Sequence, residues 1–249
     1  MRKTALVKIG GSILKNKEAI TSTISQLTAL LNKMKGFRNI IIIPGGGSYA
    51  NLIRYIDKRL KIGDDMGHWE AILCMDKNAE DLHKQFPSTL LFEEFSELTE
   101  NIKENAKDSQ LVIFKPFKYL YETDRLPHNW KVTSDSIALH IAFELALEKC
   151  FLIKNIDGII DREGKVIKHL TVKNFKRLKE SKNLADIGKN TYKQKQQSTP
   201  IDSYCLKLIE RYKIPIVILN GTPAHPRITQ FFNVSESQST TLYPTKFLF

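Results

Sequence analysis

Short apolar runs alternate with amphipathic segments along most of this chain. The apolar runs are rich in β-branched residues and predict strands at 4–9, 40–43, 111–114, 151–153 and 216–219, with a weaker candidate at 90–92. Apolar residues three and four positions apart predict helices at 16–34, 49–60, 64–85, 134–148 and 202–212. Residues 116–130 are predicted to form a loop, and the basic stretch 173–198 a surface helix followed by a loop.

This order of elements predicts an α/β fold. Ile40–Ile43 is continuously apolar, which is typical of a strand that is buried on both faces of a parallel sheet. Strands that alternate with helices favour a mainly parallel sheet with helices on both sides. Because crossovers between parallel strands are right-handed, the glycine-rich segments 10–12, 45–47 and 154–158 are expected to meet at one edge of the sheet.

The composition is that of an ordinary globular protein, with 249 residues, 42% of them hydrophobic, and a net charge of +11. No apolar stretch approaches the ~20 residues that span a membrane, and the run after Met1–Lys3 is too short for a signal peptide. We therefore expect no membrane partner. Excess positive charge attracts anions, but no nucleic-acid-reading motif accompanies it, so RNA binding through residues 173–195 ranks last among the functions considered.

The cysteines indicate a reducing compartment. Cys74, Cys150 and Cys205 are far apart, are odd in number and form no Cys-x-x-Cys pair. This pattern predicts neither a disulfide framework nor a zinc site, so we expect reduced thiols and a cytoplasmic location. The carboxylates are not clustered along the sequence as they would be for a metal site built by protein ligands alone.

Lys8 lies at the end of the first predicted strand, two residues before Gly10 and Gly11. Glycines allow a phosphate to approach the backbone, and a lysine there can neutralise charge on a phosphoryl group in transfer. The segment matches neither a Walker A loop nor the Gly-x-Gly-x-x-Gly fingerprint. A plain strand-to-helix turn with a surface lysine is the alternative that this segment alone leaves open.

A second glycine segment, Gly45–Gly47, follows a predicted buried strand and precedes a helix that Ser48 can cap. Backbone amides at such a helix start form an anion seat, and ligands bind at the carboxyl ends of parallel strands. The alternative is a flexible connector. We favour the anion seat because of its place at the strand end.

Two further segments have both a structural and a functional interpretation. Asp135 lies in the first turn of a predicted helix, where it complements the helix dipole or orients lysines at a phosphate site. Lys154–Gly158 forms either a hairpin turn or a nucleotide loop that contains a second phosphate-binding lysine. His68 and Trp69 belong either to the core or to the wall of a ligand pocket.

The order and spacing of four segments resemble the motifs of the amino acid kinase superfamily. These segments are residues 7–12, 45–47, 133–138 and 154–158, and the resemblance covers nearly the whole chain. It implies a three-layer αβα sandwich around a central, mainly parallel sheet. It also implies a single domain over 1–249 with two lobes, an acceptor-binding lobe at about 1–148 and a nucleotide-binding lobe at about 149–249.

The resemblance also assigns roles to residues. Lys8, Asp135 and Lys154 would be the catalytic residues: Lys8 would stabilise the transferring phosphoryl group, Asp135 would organise the lysines, and Lys154 would contact ATP phosphates. The ATP-binding set would be Gly10, Gly11, Ser12, Lys154, Asp157 and Gly158. The acceptor-binding set would be Gly45, Gly46, Gly47 and Ser134. Magnesium would accompany ATP, held chiefly by phosphates and water rather than by a protein metal site.

Two segments resemble the sequences of one branch of the family, the kinases that phosphorylate [5-(aminomethyl)furan-3-yl]methyl phosphate. They are Gly67–Asp76 and Thr133–Ala138. The histidine of isopentenyl phosphate kinases is missing, since Tyr49-Ala50-Asn51 follows the glycines. The expected function is ATP-dependent transfer of a phosphoryl group to a small anionic acceptor, such as a phosphate monoester. A carboxylate kinase of the acetylglutamate kinase type and a non-catalytic nucleotide-binding protein are the alternatives. The family resemblance further implies a homodimer or a larger homo-oligomer.

Overall fold

The computed structural model describes residues 3–32, 37–104, 109–185, 200–225, 227–233 and 239–245. Its strands are β1 (Lys3–Ile9), β2 (Phe37–Pro44), β3 (Leu90–Phe92), β4 (Gln110–Phe114), β5 (Cys150–Lys154), β6 (His169–Thr171), β7 (Ile216–Asn220) and β8 (Thr240–Tyr243). Its helices are α1 (Gly11–Leu14), α2 (Lys17–Leu31), α3 (Gly47–Leu60), α4 (Asp64–Gln85), α5 (Phe95–Glu104), α6 (Phe117–Thr123), α7 (Ser134–Glu144), α8 (Val172–Glu180), α9 (Ser203–Tyr212) and α10 (Arg227–Asn233).

The strands form one eight-stranded sheet in the order β3-β4-β2-β1-β5-β7-β8-β6. All neighbouring strands are parallel except β7 and β8, which are antiparallel. The predicted mainly parallel α/β fold is thereby confirmed. The strands of residues 1–148 occupy one half of the sheet and those of 149–249 the other, with β1 beside β5 at the join. Separate ligand roles for these two halves stay a prediction.

Helices cover both faces of the sheet because successive strand residues point to opposite sides. Ile41 and Ile43 of β2 belong to the core on the side of α4, α7 and α9, whereas Ile40 and Ile42 belong to the core beneath α2 and α10. The continuous apolar run of β2 is therefore buried on both faces, as its sequence predicted. Together these cores give the three layers of an αβα sandwich.

The structure corrects two predictions of local structure. Residues 116–130 are not all loop, because Phe117–Thr123 forms α6 and buries Leu120 against the core. The helix predicted over 134–148 ends at Glu144. It ends there because Ala146 takes a positive φ of 51° and the Leu147 amide donates back to the Ala142 carbonyl at 2.9 Å.

The prediction for residues 173–198 is confirmed for the helix, and its loop from 186 onward lies outside the described residues.

The three glycine-rich strand ends meet, as predicted. The Gly10 amide donates to the Ile153 carbonyl at the end of β5, and the Gly45 amide donates to the Ile9 carbonyl at the end of β1, each at 2.8 Å. Gly11 and Gly47 approach so closely that a Cβ on Gly11 would lie 2.6 Å from the Gly47 Cα. The carboxyl ends of β2, β1 and β5 thus form one contiguous floor for a site.

Candidate active site

Three of the predicted residues form a charged cluster on this floor. The Lys8 ammonium donates to Oδ1 of Asp135 and the Lys154 ammonium donates to Oδ2, both at 2.8 Å. Lys8 lies on β1, Lys154 ends β5, and Asp135 lies in the first turn of α7. One carboxylate therefore fixes the positions of two lysines that come from separate strands.

The cluster is buried, and its charges perturb one another. Burial alone would raise the pKa of Asp135, but attraction to Lys154 and Lys8 and their hydrogen bonds hold that pKa far below its usual range. Burial is the main cause that lowers the pKa of Lys8; repulsion from Lys154 adds to it, and Asp135 opposes it. Two cations face one carboxylate, so an anionic ligand at the lysines adds the missing negative charge.

Asp202 anchors the start of α7, where Asp135 lies. Its Oδ2 accepts from the Thr133 amide (3.1 Å), the Thr133 hydroxyl (2.7 Å) and the Ser136 amide (3.1 Å). Its Oδ1 accepts from the Ser136 hydroxyl and the Cys205 amide, both at 2.6 Å. The carboxylate thus caps α9 and ties the first turn of α7 to it.

Burial raises the pKa of Asp202, and the negative charge of Asp135 adds to that effect, whereas hydrogen bonds from Ser136, Thr133 and the Cys205 amide oppose it. The sequence reasoning placed Asp202 at the start of a helix and assigned it no role in the site. Its partners Thr133 and Ser136 lie more than sixty residues away along the chain, so no local pattern identifies them.

A cavity of about 380 Å³ opens above the lysine cluster. Its wall contains four cationic side chains and one carboxylate, namely Lys8, Lys15, Arg54, Lys154 and Asp135. Asp135 is already bonded to two of these cations. The cavity is therefore suited to anionic ligands, because the focused positive charge favours them.

The predicted glycines divide into two groups. The first group lines the cavity and consists of Gly11, Gly46 and Gly47, with Ser12 and Ser134 beside them. Gly10 and Gly45 lie outside the lining, and each has its amide in a main-chain hydrogen bond. A Cβ at Gly45 would lie 3.0 Å from Ser134 Oγ and 3.2 Å from Lys8 Cε, so this glycine leaves room for both side chains.

Asp157 and Gly158 also lie outside the cavity lining. Asp157 accepts from Asn220 at 3.1 Å and from the Arg227 guanidinium at 3.0 Å, which ties the segment after β5 to the end of β7 and the start of α10. Gly158 has a φ of 154°, and a Cβ there would lie 2.4 Å from Thr240 Oγ1. In the structure both residues brace this loop. Their predicted contacts with ATP stay a prediction.

The structure places His68 in the wall of the cavity and Trp69 outside it. His68 is buried and lines the cavity. Burial, aided by repulsion from His128, lowers its pKa to about 4, so its ring is neutral at pH 7. Trp69 lies outside the lining and packs its ring against Phe117, Tyr121 and His128.

The sequence reasoning missed two cavity cations, Lys15 and Arg54. Helical spacing could have identified Arg54. The residues Ala50, Asn51 and Arg54 follow Gly47 by three, four and seven positions, so all four share the cavity-facing side of α3.

Lys15 follows the short α1, which the sequence did not predict. Without that turn, nothing indicated that Lys15 lies over the same site as Lys8.

The family model for the amino acid kinase family matches residues 3–220. The chain is 28% identical over 223 residues to the [5-(aminomethyl)furan-3-yl]methyl phosphate kinase of Methanocaldococcus jannaschii, covering 89% of this chain and 88% of that protein. It is 26% identical over 221 residues to the uridylate kinase of Methanococcus aeolicus, covering 86% and 89% of the two chains. The crystal structure of UMP kinase from Ureaplasma parvum superposes with a TM-score of 0.66 at 18% identity and covers 98% of this chain and all of that one.

This chain therefore belongs to the amino acid kinase family. It is a phosphotransferase, and kinases of this family use ATP. No helix within the described residues combines the length and apolarity that crossing a membrane requires.

Proposed function

We propose that this protein transfers the γ-phosphoryl group of ATP to a phosphate oxygen of a small phosphate monoester, with [5-(aminomethyl)furan-3-yl]methyl phosphate as the specific acceptor. The observation that carries the proposal is the Lys8–Asp135–Lys154 cluster at the floor of a cationic cavity. The acceptor is suggested by the Methanocaldococcus jannaschii relative, whose name states that substrate.

The charge of the cavity supports a phosphorylated acceptor. A phosphate monoester carries nearly two negative charges at pH 7, and ATP carries several more. Four cations in the wall against one carboxylate suit the meeting of two such anions. The segment with His68, Ile72 and Met75 adds a neutral wall that can hold an uncharged ring.

The proposed step is an in-line displacement. An acceptor phosphate oxygen forms a bond to the γ-phosphorus of ATP, the bond from that phosphorus to the β,γ-bridging oxygen breaks, and ADP leaves with the bonding electron pair. The product is a diphosphate. Because the acceptor oxygen is already ionised, no side chain has to remove a proton. Catalysis then consists of positioning and charge stabilisation.

The residues would divide this work. Lys8 and Lys154 would stabilise charge on the phosphoryl group, held at fixed positions by Asp135. The backbone at Gly46 and Gly47, with the start of α3, would seat the acceptor's anionic group, and Gly11 and Ser12 would hold ATP phosphates. The described residues contain no group of three or more His, Cys, Asp or Glu that could hold a metal ion. Magnesium would therefore be held chiefly by ATP phosphates and water, and would neutralise part of the phosphate charge.

The proposal is tested by ADP release from ATP and magnesium with a panel of acceptors. The panel contains the furan phosphate, isopentenyl phosphate, UMP, acetylglutamate and aspartate, and Lys8→Ala is run beside the wild type. We expect turnover with the furan phosphate that Lys8→Ala largely abolishes. Turnover with acetylglutamate or aspartate alone would contradict a phosphate acceptor, and ATP binding without turnover would favour a non-catalytic role. A cytoplasmic location and a homodimeric or larger assembly stay predictions.

A further inference from the structure

Arg54 is a cavity residue to which neither the sequence motifs nor the proposed phosphoryl transfer assigned a role. It lies on α3, seven residues after Gly47, on the same side of the helix as Asn51 and Gly47. The helix therefore places Arg54, an exposed residue, on the wall of the cavity beside the glycine segment, and its guanidinium group lies over Trp130, which also lines the cavity.

The guanidinium group of Arg54 stacks on an indole ring whose position is fixed by other contacts. Its central carbon lies 4.6 Å from the ring centroid of Trp130, within the range of a cation–π contact. The Trp130 indole is itself fixed, because its Nε1 donates to Oδ2 of Asp57 at 2.6 Å. Gly67 of α4 leaves space for the ring, since a Cβ at that position would lie only 3.1 Å from Trp130 Cζ2. Two helices and one loop thus hold the plane on which Arg54 rests.

No carboxylate neutralises this arginine in the described part of the chain, where Arg54 makes neither an ion pair nor a hydrogen bond. Asp57 is one turn away on the same helix, but its oxygens accept from Trp130 and from the Gly63 amide. Lys8 and Lys154, in contrast, share Asp135. The five donors of Arg54 are therefore free of described protein acceptors and border a cavity that takes anions.

We propose that Arg54, seated on Trp130, binds the phosphate group of the acceptor and holds it against the start of α3. The inference rests on the proposed function and names the residue that recognises the acceptor's anionic group. A guanidinium fork donates two parallel hydrogen bonds to a phosphate, and a stacked guanidinium keeps its plane oriented for them. Lysine at this position would keep the charge and lose both properties.

The test compares Arg54→Gln and Arg54→Lys with a matched control, Arg59→Gln. Arg59 lies on the same helix, also rests on an aromatic ring (5.5 Å from the centroid of Tyr55) and does not line the cavity. We expect Arg54→Gln to raise the KM for the furan phosphate at least tenfold and to leave the KM for ATP within twofold of wild type. Arg54→Lys should restore only part of the loss, and Arg59→Gln should change neither constant.

Two outcomes of this comparison overturn the proposal. A lowered Tm for Arg54→Gln with both KM values unchanged would make the arginine a structural partner of Trp130 alone. A raised KM for ATP with an unchanged KM for the acceptor would place Arg54 on the nucleotide.

A binding measurement keeps this inference separate from the proposed function. Methyl phosphate is titrated calorimetrically into wild type, Arg54→Gln and Arg59→Gln, each saturated with ADP. We expect Arg54→Gln to bind it at least fivefold more weakly than the other two proteins. Equal affinities, or no binding to wild type, would overturn the inference. If no panel acceptor is phosphorylated and methyl phosphate binding still depends on Arg54, the proposed function fails and the anion site stands.

Discussion

Lys8 and Lys154 donate to opposite oxygens of the same carboxylate, Asp135, each at 2.8 Å. Two lysines that would repel each other in isolation are thereby held at the end of neighbouring strands β1 and β5. One carboxylate cannot neutralise both, so the cluster keeps a net positive charge that a transferring phosphoryl group can use.

Lys8→Ala should lower kcat by on the order of 10²–10³, the scale for removing one donor that stabilises a transition state. The fold should persist, because Asp135 keeps its bond to Lys154 and one buried positive charge is removed. Steady-state kinetics measures the loss, and calorimetric titration should show that ATP still binds. Retention of more than a third of the wild-type turnover would remove Lys8 from the catalytic step.

Asp202→Ala should impair both stability and turnover, because five hydrogen bonds at the junction of α7 and α9 lose their acceptor. A lost helix cap costs about 1 kcal/mol, and unsatisfied amides add to it, so we expect a loss of roughly 2–4 kcal/mol in the free energy of unfolding. Urea unfolding measures this loss. The kcat should fall as well, since the first turn of α7 carries Asp135.

Ser203→Ala is the matched control, because Ser203 is the exposed next residue of α9. It should leave both kcat and unfolding near wild type. An Asp202→Ala variant with full turnover would show that α7 holds Asp135 in place without this brace.

Gly11→Ala should damage the contact between the two glycine segments. The added Cβ would lie 2.6 Å from the Gly47 Cα, and because its position is fixed by the backbone, only a shift of one glycine segment relieves the clash. We expect a loss of about 1–3 kcal/mol in stability, typical of overpacking, with weaker binding of ATP. Differential scanning calorimetry and ATP titration measure these two effects. An alanine variant with wild-type Tm and affinity would mean that the two segments can separate without cost.

Asp76→Asn should weaken the dependence of stability on pH. Burial raises the pKa of the Asp76 carboxyl to about 7, with the Phe117 amide and Lys115 opposing the shift. Because the folded pKa exceeds the unfolded one, the folded state binds more protons between about pH 4 and 7. Wild-type stability should therefore fall as pH rises through this window, by up to about 1.4 kcal/mol per unit from this group.

Urea unfolding of wild type and Asp76→Asn between pH 5 and pH 8 measures the difference. The variant should gain stability relative to wild type as pH rises. Parallel pH profiles for the two proteins would contradict the raised pKa.

Local patterns predicted the central strands because each is a short apolar run, and Ile40–Ile43 shows this most clearly. They missed β6 and β8 at one side of the sheet, because these short strands contain polar residues and are defined by pairing: β8 pairs with β7 and β6, and β6 pairs with β8. They also missed α6, whose signal is a single buried leucine, Leu120, in a segment that looked irregular.

The candidate site divides in the same way. Lys8, Asp135 and Lys154 occur within recognisable segments, and the sheet brings them together. Asp202 lies in no such segment, and its partners at the start of α7 come from a distant part of the chain. Helical spacing places Arg54 on the same side of α3 as Gly47, but its contact with Trp130 joins distant parts of the chain and has no local signal.

Phosphoryl transfer to the acceptor's phosphate is tested most directly by the ³¹P spectrum of the product formed from ATP, magnesium and [5-(aminomethyl)furan-3-yl]methyl phosphate. Transfer to a phosphate oxygen predicts a second pair of mutually coupled diphosphate signals, distinct from the pair of ADP, which grows as the monoester signal of the acceptor disappears. An unchanged acceptor signal, or conversion of ATP to ADP and free phosphate alone, would contradict the account.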